Sequence, residues 1–176
     1  MKAPLALQKF AKFLTASVLI ALHASVSSSA LSTAVYAEAF IKTSADNKVD
    51  VDAMREKALE LEAQGIKVMA IVGVAGTTET GNIDPLEDMA NLAQEINCHF
   101  HVDAAWGGAT LLSNTHRHLL KGIEQADSIT IDAHKQMYVP MGAGLVLFKD
   151  PAATDAIEHH AEYILRKGSK ASRMVE

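Results

Sequence analysis

Helices are predicted at three places beyond residue 44, two of them from the spacing of apolar residues. The segment Val51–Gln64 has a helical apolar face, with Asp50 supplying cap chemistry before it and Gly65 as its stop. The apolar stripe of the second helix is Leu86, Met89, Ala90, Ala93 and Ile96. A third helix is predicted from Ala152 to Arg166, because an Asp-Pro pair at residues 150–151 is a typical helix start.

Four short runs rich in apolar and β-branched residues predict strands. They are Val68–Val74, His99–Asp103, Ser128–Asp132 and Gly144–Lys149. Strand–helix–strand units of this size pair in parallel through right-handed crossovers, so the predicted fold class is α/β with a mostly parallel sheet. Ligands bind beyond the carboxyl ends of such strands. Candidate chemistry is therefore expected in the loops that follow the first three strands.

Residues 1–43 follow a different pattern. The only charged residues before Glu38 are Lys2, Lys9 and Lys12. An apolar run over residues 13–22 leads into a Ser-rich stretch, with small residues before a possible cleavage point at Ala37. This order is typical of a secretory signal peptide, but a membrane anchor, a buried helix or an unrelated N-terminal segment also fits it. We therefore expect this segment to lie apart from the fold.

Composition narrows the classes of protein. The chain has 176 residues and is 49% hydrophobic, which is enough for a folded core and excludes wholesale disorder. A formal charge of −5 argues against a nucleic-acid partner. The single cysteine, Cys98, excludes a disulfide framework and is expected to be a buried apolar residue. His99 and His101 alternate along a predicted strand, and no spacing predicts a metal site.

Three stretches carry the candidate chemistry. They are VAGTTETGNIDPLEDMA, HVDAAWGG and HRHLLKGIEQADSITIDAHK. In this order they resemble the group II pyridoxal-phosphate-dependent amino-acid decarboxylases, which include glutamate, aspartate and aromatic-amino-acid decarboxylases. The AAWGG and HRH motifs resemble the acidic-substrate branch. The resemblance implies fold type I, a mostly parallel sheet in a homodimer. Residues 44–170 would form the central part of its large domain, here truncated, followed by a tail at residues 171–176.

The resemblance also implies roles for five residues. Lys135 matches the lysine that forms a Schiff base with pyridoxal 5'-phosphate, and Asp103 matches the partner of the cofactor's pyridine nitrogen. A carboxylate there keeps that nitrogen protonated, because opposite charges stabilise each other in a water-poor site. Ala105 is small enough for the ring to lie flat against it. His134 is expected near the phosphate, and Thr78 near the ring hydroxyl.

Four neighbouring residues qualify this picture. Asp132 occupies a position where the family often has Asn close to the phosphate, and its carboxylate would repel that dianion unless it turns away. Gln136 stands where many members are apolar. Thr77 is expected to orient its loop, and Trp106 either stacks near the site or packs under the loop.

The implied activity is decarboxylation of an amino acid, with glutamate or aspartate as the expected substrate class, in a cytoplasmic enzyme without nucleic-acid or metal partners. Three alternatives remain open. The chain could be another fold type I enzyme, such as an aminotransferase or desulfurase. It could be a truncated fragment that binds the cofactor weakly or pairs with a full-length subunit. The signal-like segment leaves export or membrane association open.

Overall fold

The computed structural model describes residues 18–23 and 35–157. The strands are β1 Val18–His23, β2 Val35–Phe40, β3 Lys67–Val74, β4 His99–Asp103, β5 Ser128–Asp132 and β6 Gly144–Phe148. The α-helices are α1 Val51–Ala63 and α2 Leu86–Glu95. Short 3₁₀ helices cover Gly107–Leu112, Arg117–Leu120, Ile123–Gln125 and Pro151–Ile157. Among the described residues, no helix is both long and apolar enough to cross a membrane.

All six strands form one sheet in the order β2-β1-β3-β4-β5-β6. The central strands β3, β4 and β5 are parallel, as the strand–helix–strand pattern predicts. The pairs β2–β1, β1–β3 and β5–β6 are antiparallel. The connection from β5 to β6, residues 133–143, contains no helix, and a connection this short favours antiparallel pairing because a parallel crossover needs a dozen or more residues. The sheet is therefore mixed, with the predicted loops at the ends of its parallel centre.

The predicted helix ends are confirmed for α1. Asp50 Oδ1 accepts a hydrogen bond of 3.0 Å from the Ala53 amide at its N-terminus. Gly65 follows the helix with φ +75°, a left-handed conformation that glycine adopts without a Cβ clash. On α2 the predicted stripe is buried except for the partly buried Ile96. The largest fully buried side chains are Phe100, Met54, Ile71, Leu86, Met89, Leu92, Leu120 and Val102.

The side chains of β4 alternate between an apolar and a polar face of the sheet. Phe100 and Val102 are buried in the core. His99, His101 and Asp103 point to the opposite face, because successive side chains alternate along a strand. Asp103, the predicted partner of the cofactor nitrogen, therefore ends β4 on the polar face.

The structure differs from the expectation for residues 1–43. Within this segment, β1 pairs with both β2 and β3, so its described residues belong to the sheet. The physical reason is that a short apolar run satisfies the pattern of a strand as well as that of a signal peptide. Residues 1–17 and 24–34 lie outside the described residues, and cleavage of the segment stays a prediction.

The predicted helix after Pro151 begins where it is expected, but its described part is a 3₁₀ helix and not an α-helix. Residues Pro151–Ile157 form a 3₁₀ helix, and Asp150 Oδ1 accepts a hydrogen bond of 2.9 Å from the Ala152 amide. The rest of that predicted helix and the tail at residues 171–176 lie outside the described residues.

Candidate active site

The loops that follow β3, β4 and β5 meet at one edge of the sheet. Val74 lies opposite Asp103, and Asp103 lies opposite Thr130, in the parallel register. The Ala75 amide donates to Asp103 O at 2.8 Å, which joins the first loop to the second. The Asp132 amide donates to Ala105 O at 3.3 Å, which joins the second to the third. The three predicted loops therefore form a single surface.

Asp103 ends β4 with an exposed side chain. Its Oδ1 accepts a hydrogen bond of 3.1 Å from the Ala105 amide. In the part of the chain that the structure describes, its Oδ2 has no hydrogen-bond partner. One oxygen therefore orients the carboxylate, while the other is open to a cationic donor. Ala105 is half-buried beside it.

Lys135 lies in the loop after β5 and is paired with a carboxylate. Its Nζ lies 2.9 Å from Asp132 Oδ2, with the two side chains 35% and 21% exposed. The same oxygen lies 3.9 Å from His134 Nε2. Asp132 thus lies beside the two residues to which the family resemblance assigns the Schiff base and the phosphate contact. Its carboxylate turns toward Lys135.

His134 closes the loop between β5 and β6. Its Nδ1 lies 2.9 Å from Ala143 O, and its backbone amide donates to the same oxygen at 3.2 Å. Because a carbonyl oxygen only accepts, Nδ1 carries the proton and a neutral ring keeps Nε2 as an acceptor. That nitrogen faces the Asp132 side of the site.

Gln136 and Trp106 join the second and third loops through their side chains. The Gln136 amide nitrogen donates to Trp106 O at 3.1 Å, and its oxygen accepts from Trp106 Nε1 at 3.3 Å, with the amide oriented to satisfy both. The polar Gln136, which stands where many family members are apolar, therefore has a bonding role here. Trp106 remains 42% exposed.

The loop after β3 presents Thr78 and is held by Thr77. Thr77 Oγ1 lies 2.8 Å from Thr80 Oγ1 and accepts from the Asn82 amide at 3.2 Å, so Thr77 orients the loop as predicted. Thr78 is exposed in the turn. Within residues 39–155, no hydrogen bond or ion pair connects Thr78 to Asp103, His134 or Lys135.

Close backbone contact fixes the distance between the first two loops. The Gly107 amide donates to Ala75 O at 3.0 Å. A Cβ at Gly107 would lie only 2.2 Å from that oxygen, so a larger residue does not fit without displacement of the backbone. The absence of a side chain therefore lets the loops after β3 and β4 touch.

A hydrogen-bond network on the polar face joins β4 to β5. Ser128 Oγ lies 2.8 Å from both His99 Nε2 and His101 Nδ1. A hydroxyl has one proton, so Ser128 donates to one ring and accepts from the other. Burial lowers the pKa of His101, and the charge of Asp103 partly offsets that effect. The lowered pKa favours the neutral form of the His101 ring.

Sequence reasoning missed the tether formed by Asp84. This carboxylate is buried at 7% exposure. Its Oδ1 accepts from the Val49 amide at 2.9 Å, and its Oδ2 accepts from the Val74 amide at 2.9 Å. The Asn-Ile-Asp-Pro stretch predicts only a turn. The backbone amides that bond to Asp84 are 35 and 10 residues away, and no sequence pattern identifies such partners. Asp84 fixes the base of the loop that carries Thr78.

The described residues contain no group of three or more His, Cys, Asp or Glu side chains that could hold a metal ion. Cys98 is half-buried between α2 and β4. Burial raises the pKa of its thiol to about 11. The candidate site therefore combines the open carboxylate of Asp103, the amine of Lys135 paired with Asp132, and polar loop residues.

This chain is similar to known decarboxylases. Residues 13–173 match the pyridoxal-dependent decarboxylase conserved domain. The chain is 67% identical over 130 residues to an aspartate 1-decarboxylase from Aliivibrio fischeri, covering 74% of this chain and 24% of that protein. It is 42% identical over 117 residues to an L-2,4-diaminobutyrate decarboxylase from Acinetobacter baumannii, covering 66% and 23%.

Solved structures show the same fold. The structure of Oryza sativa TDC with PLP and tryptamine matches with a TM-score of 0.69 and 26% identity, covering 77% of this chain and 28% of that one. The glutamate decarboxylase domain from Vibrio parahaemolyticus matches with a TM-score of 0.64 and 38% identity, covering 66% and 25%. The chain therefore spans about a quarter of the length of these relatives. With the domain match covering most of its length, the chain belongs to the pyridoxal-dependent decarboxylase family.

Proposed function

We propose that the chain carries the catalytic centre of a pyridoxal-phosphate-dependent decarboxylase that acts on aspartate. The observation that supports this most is the placement of Asp103, Ala105 and Lys135 on directly hydrogen-bonded loops at the ends of two adjacent parallel strands. The cofactor ring needs a negative charge beside its pyridine nitrogen and an amine that bonds covalently to its aldehyde carbon. The carboxylate of Asp103 and the amine of Lys135 lie on neighbouring loops and match these two needs.

The residues present fit the cofactor. Asp103 offers an open Oδ2 at the exposed end of β4. Ala105 is small and half-buried, so a planar ring can lie against it. Lys135 reaches the same surface from the next loop, since Asp132 donates to Ala105 O and accepts from the Lys135 amide at 3.1 Å. These three residues come from two segments, the ends of β4 and β5, which are joined by backbone hydrogen bonds.

Each residue then has a defined task. When bound, pyridoxal phosphate supplies a conjugated ring that accepts the electron pair left at Cα as carbon dioxide departs. Asp103 would hold the proton on the pyridine nitrogen by charge attraction. Lys135 would anchor the cofactor through Nζ and yield that place to the substrate's amine. His134 would face the phosphate, and Thr78 would approach the ring hydroxyl from the loop after β3.

Aspartate is proposed as the substrate because the relative at 67% identity is an aspartate 1-decarboxylase. The expected measurement is release of carboxyl-labelled carbon dioxide from aspartate by the purified chain supplied with pyridoxal phosphate, with glutamate and 2,4-diaminobutyrate as competing substrates. Release from aspartate that is abolished in Lys135→Arg supports the proposal. Preferential release from another amino acid contradicts the substrate assignment.

The same assay separates the other hypotheses. A keto acid in place of carbon dioxide identifies an aminotransferase. Cofactor on Lys135 without any turnover identifies a binding fragment, and recovery of turnover on mixing with a full-length subunit identifies a pairing role. Homodimerisation and a cytoplasmic location, which the family resemblance implies, stay predictions.

A further inference from the structure

The ion pair between Asp132 and Lys135 differs from the other lysine pairs in its surroundings. Lys57 and Glu60 on α1 form a pair with the same 2.9 Å separation and the same i,i+3 spacing. The Lys57 side chain is 37% exposed and that of Lys135 is 35% exposed, so the two amines are almost equally accessible. Their acceptors differ, because Asp132 is 21% exposed and Glu60 is 55% exposed.

Asp132 is held in place by the backbone around it. Its amide donates to Ala105 O, and its own carbonyl oxygen accepts from the Lys135 amide. A Cβ at Gly144 would lie 3.1 Å from its Oδ1, which shows that β6 closes one side of the carboxylate. The carboxylate therefore has little freedom to follow Lys135 when the lysine moves.

We propose that Asp132 restrains Lys135, so that the ion pair must open before the amine can bond to an aldehyde. In that step Nζ forms a bond to the aldehyde carbon, the oxygen leaves as water, and the proton of the ammonium passes to solvent. An ammonium group held 2.9 Å from Asp132 Oδ2 must leave that contact before its nitrogen can bond to the aldehyde carbon. Asp132 is a positioning residue in this account, and the inference rests on the proposed role of Lys135.

Removal of the carboxylate charge is expected to speed the reaction at Lys135. Ion pairs that keep some contact with water, as this partly exposed pair does, contribute up to about 1 kcal/mol, and a tenfold rate change corresponds to about 1.4 kcal/mol. Asp132→Asn keeps the shape of the side chain and loses the charge, so the rate constant should rise about fivefold by that conversion. Asp132→Glu keeps a carboxylate and should remain close to the original rate.

A second effect of Asp132 can be separated by the choice of probe. The carboxylate would also repel a phosphate dianion near His134, and that repulsion acts only on a phosphorylated aldehyde. Pyridoxal and pyridoxal phosphate should therefore both react faster with Asp132→Asn if Asp132 restrains the amine. Acceleration with pyridoxal phosphate alone would show repulsion of the phosphate and would overturn the proposal.

The experiment measures labelling at individual lysines over time. Each purified chain is mixed with pyridoxal or pyridoxal phosphate, portions are reduced with borohydride at set times, and peptide mass spectrometry quantifies the pyridoxyl group on Lys135 and Lys57. Glu60→Gln is the matched control, since it removes one carboxylate from a similar pair and should leave the Lys135 rate unchanged. Asp132→Ala provides a second variant without the charge.

An unchanged or slower rate at Lys135 in both Asp132→Asn and Asp132→Ala overturns the proposal. An equal rise at Lys135 in Glu60→Gln also overturns it, because the effect would then be a general one of net charge. A labelled Lys135 without carbon dioxide release contradicts the proposed function and leaves this inference standing. Absence of any label on Lys135 in the original chain contradicts both.

Discussion

Asp84 connects three segments of the chain, and its replacement tests how the loop of Thr78 is fixed. The carboxylate accepts one hydrogen bond of 2.9 Å at each oxygen, from the amides of Val49 and Val74. Val49 precedes α1, and Val74 ends β3. Asp84→Ala removes both acceptors at a position that is only 7% exposed, so water has poor access to the two amides that remain.

The expected loss of stability follows from those two donors. A buried donor left without a partner costs about 1–3 kcal/mol. Two such amides give a decrease of about 2–6 kcal/mol in the free energy of unfolding. With an m-value of about 2 kcal/mol per molar urea, the midpoint should fall by about 1–3 M.

Urea unfolding followed by circular dichroism measures this change. Glu56→Ala is the control, because Glu56 is exposed on α1 and its replacement should change the free energy of unfolding by no more than about 0.5 kcal/mol. A decrease for Asp84→Ala as small as that of the control would show that Asp84 does not stabilise this loop through the two amides. The amides would then find other partners at no cost.

Three further predictions concern packing and titration. A Cβ at Gly107 would meet Ala75 O at 2.2 Å, so Gly107→Ala should destabilise the chain by about 1–3 kcal/mol, and an unchanged calorimetric Tm would contradict this. Burial raises the pKa of Cys98 from its ordinary 9.0 to about 11, so at pH 8 its thiolate is about a hundredfold scarcer and should react far more slowly with a disulfide reagent than free cysteine does. Burial lowers the pKa of His101 below its ordinary 6.5, so the folded chain binds this proton less readily than the unfolded chain, and stability should fall as the pH drops below 6.5. His101→Gln should lose less stability between pH 7 and pH 5 in urea unfolding, and an identical loss would contradict the assignment.

The parallel centre of the fold was predictable because its signals are local. The bounds of β4 and β5 agree with the apolar runs at His99–Asp103 and Ser128–Asp132. Their side chains alternate between core and polar face, which a period of two encodes directly. The position of Asp103 at a strand end follows from the same pattern.

The outer strands were harder to predict. Strand β1 lies within the run that is typical of a signal peptide, and its pairing with β3 depends on residues about 50 positions further along the chain. Strand β6 was predicted as a strand, but its antiparallel direction depends on the short connection that follows β5. Pairing partners and directions are tertiary properties that a single run does not carry.

Side-chain partnerships in the site were also beyond the sequence pattern. The sequence shows that Asp132 would repel a phosphate unless it turns away, but its contact with Lys135 depends on how the loop folds beside β6. The two acceptor bonds of Asp84 reach backbone amides 35 and 10 residues away. Motifs identify which residues carry chemistry, whereas the fold determines which of them form ion pairs or hydrogen bonds with each other.

Lys135 is the residue that we propose to anchor the cofactor. The most direct test of this role is to incubate the chain with pyridoxal phosphate, reduce it with borohydride and map the labelled peptide. We expect one pyridoxyl group on Lys135, formed faster than on the exposed Lys121 and lost in Lys135→Arg. A label spread evenly over the surface lysines, or one that persists unchanged in Lys135→Arg, would contradict it.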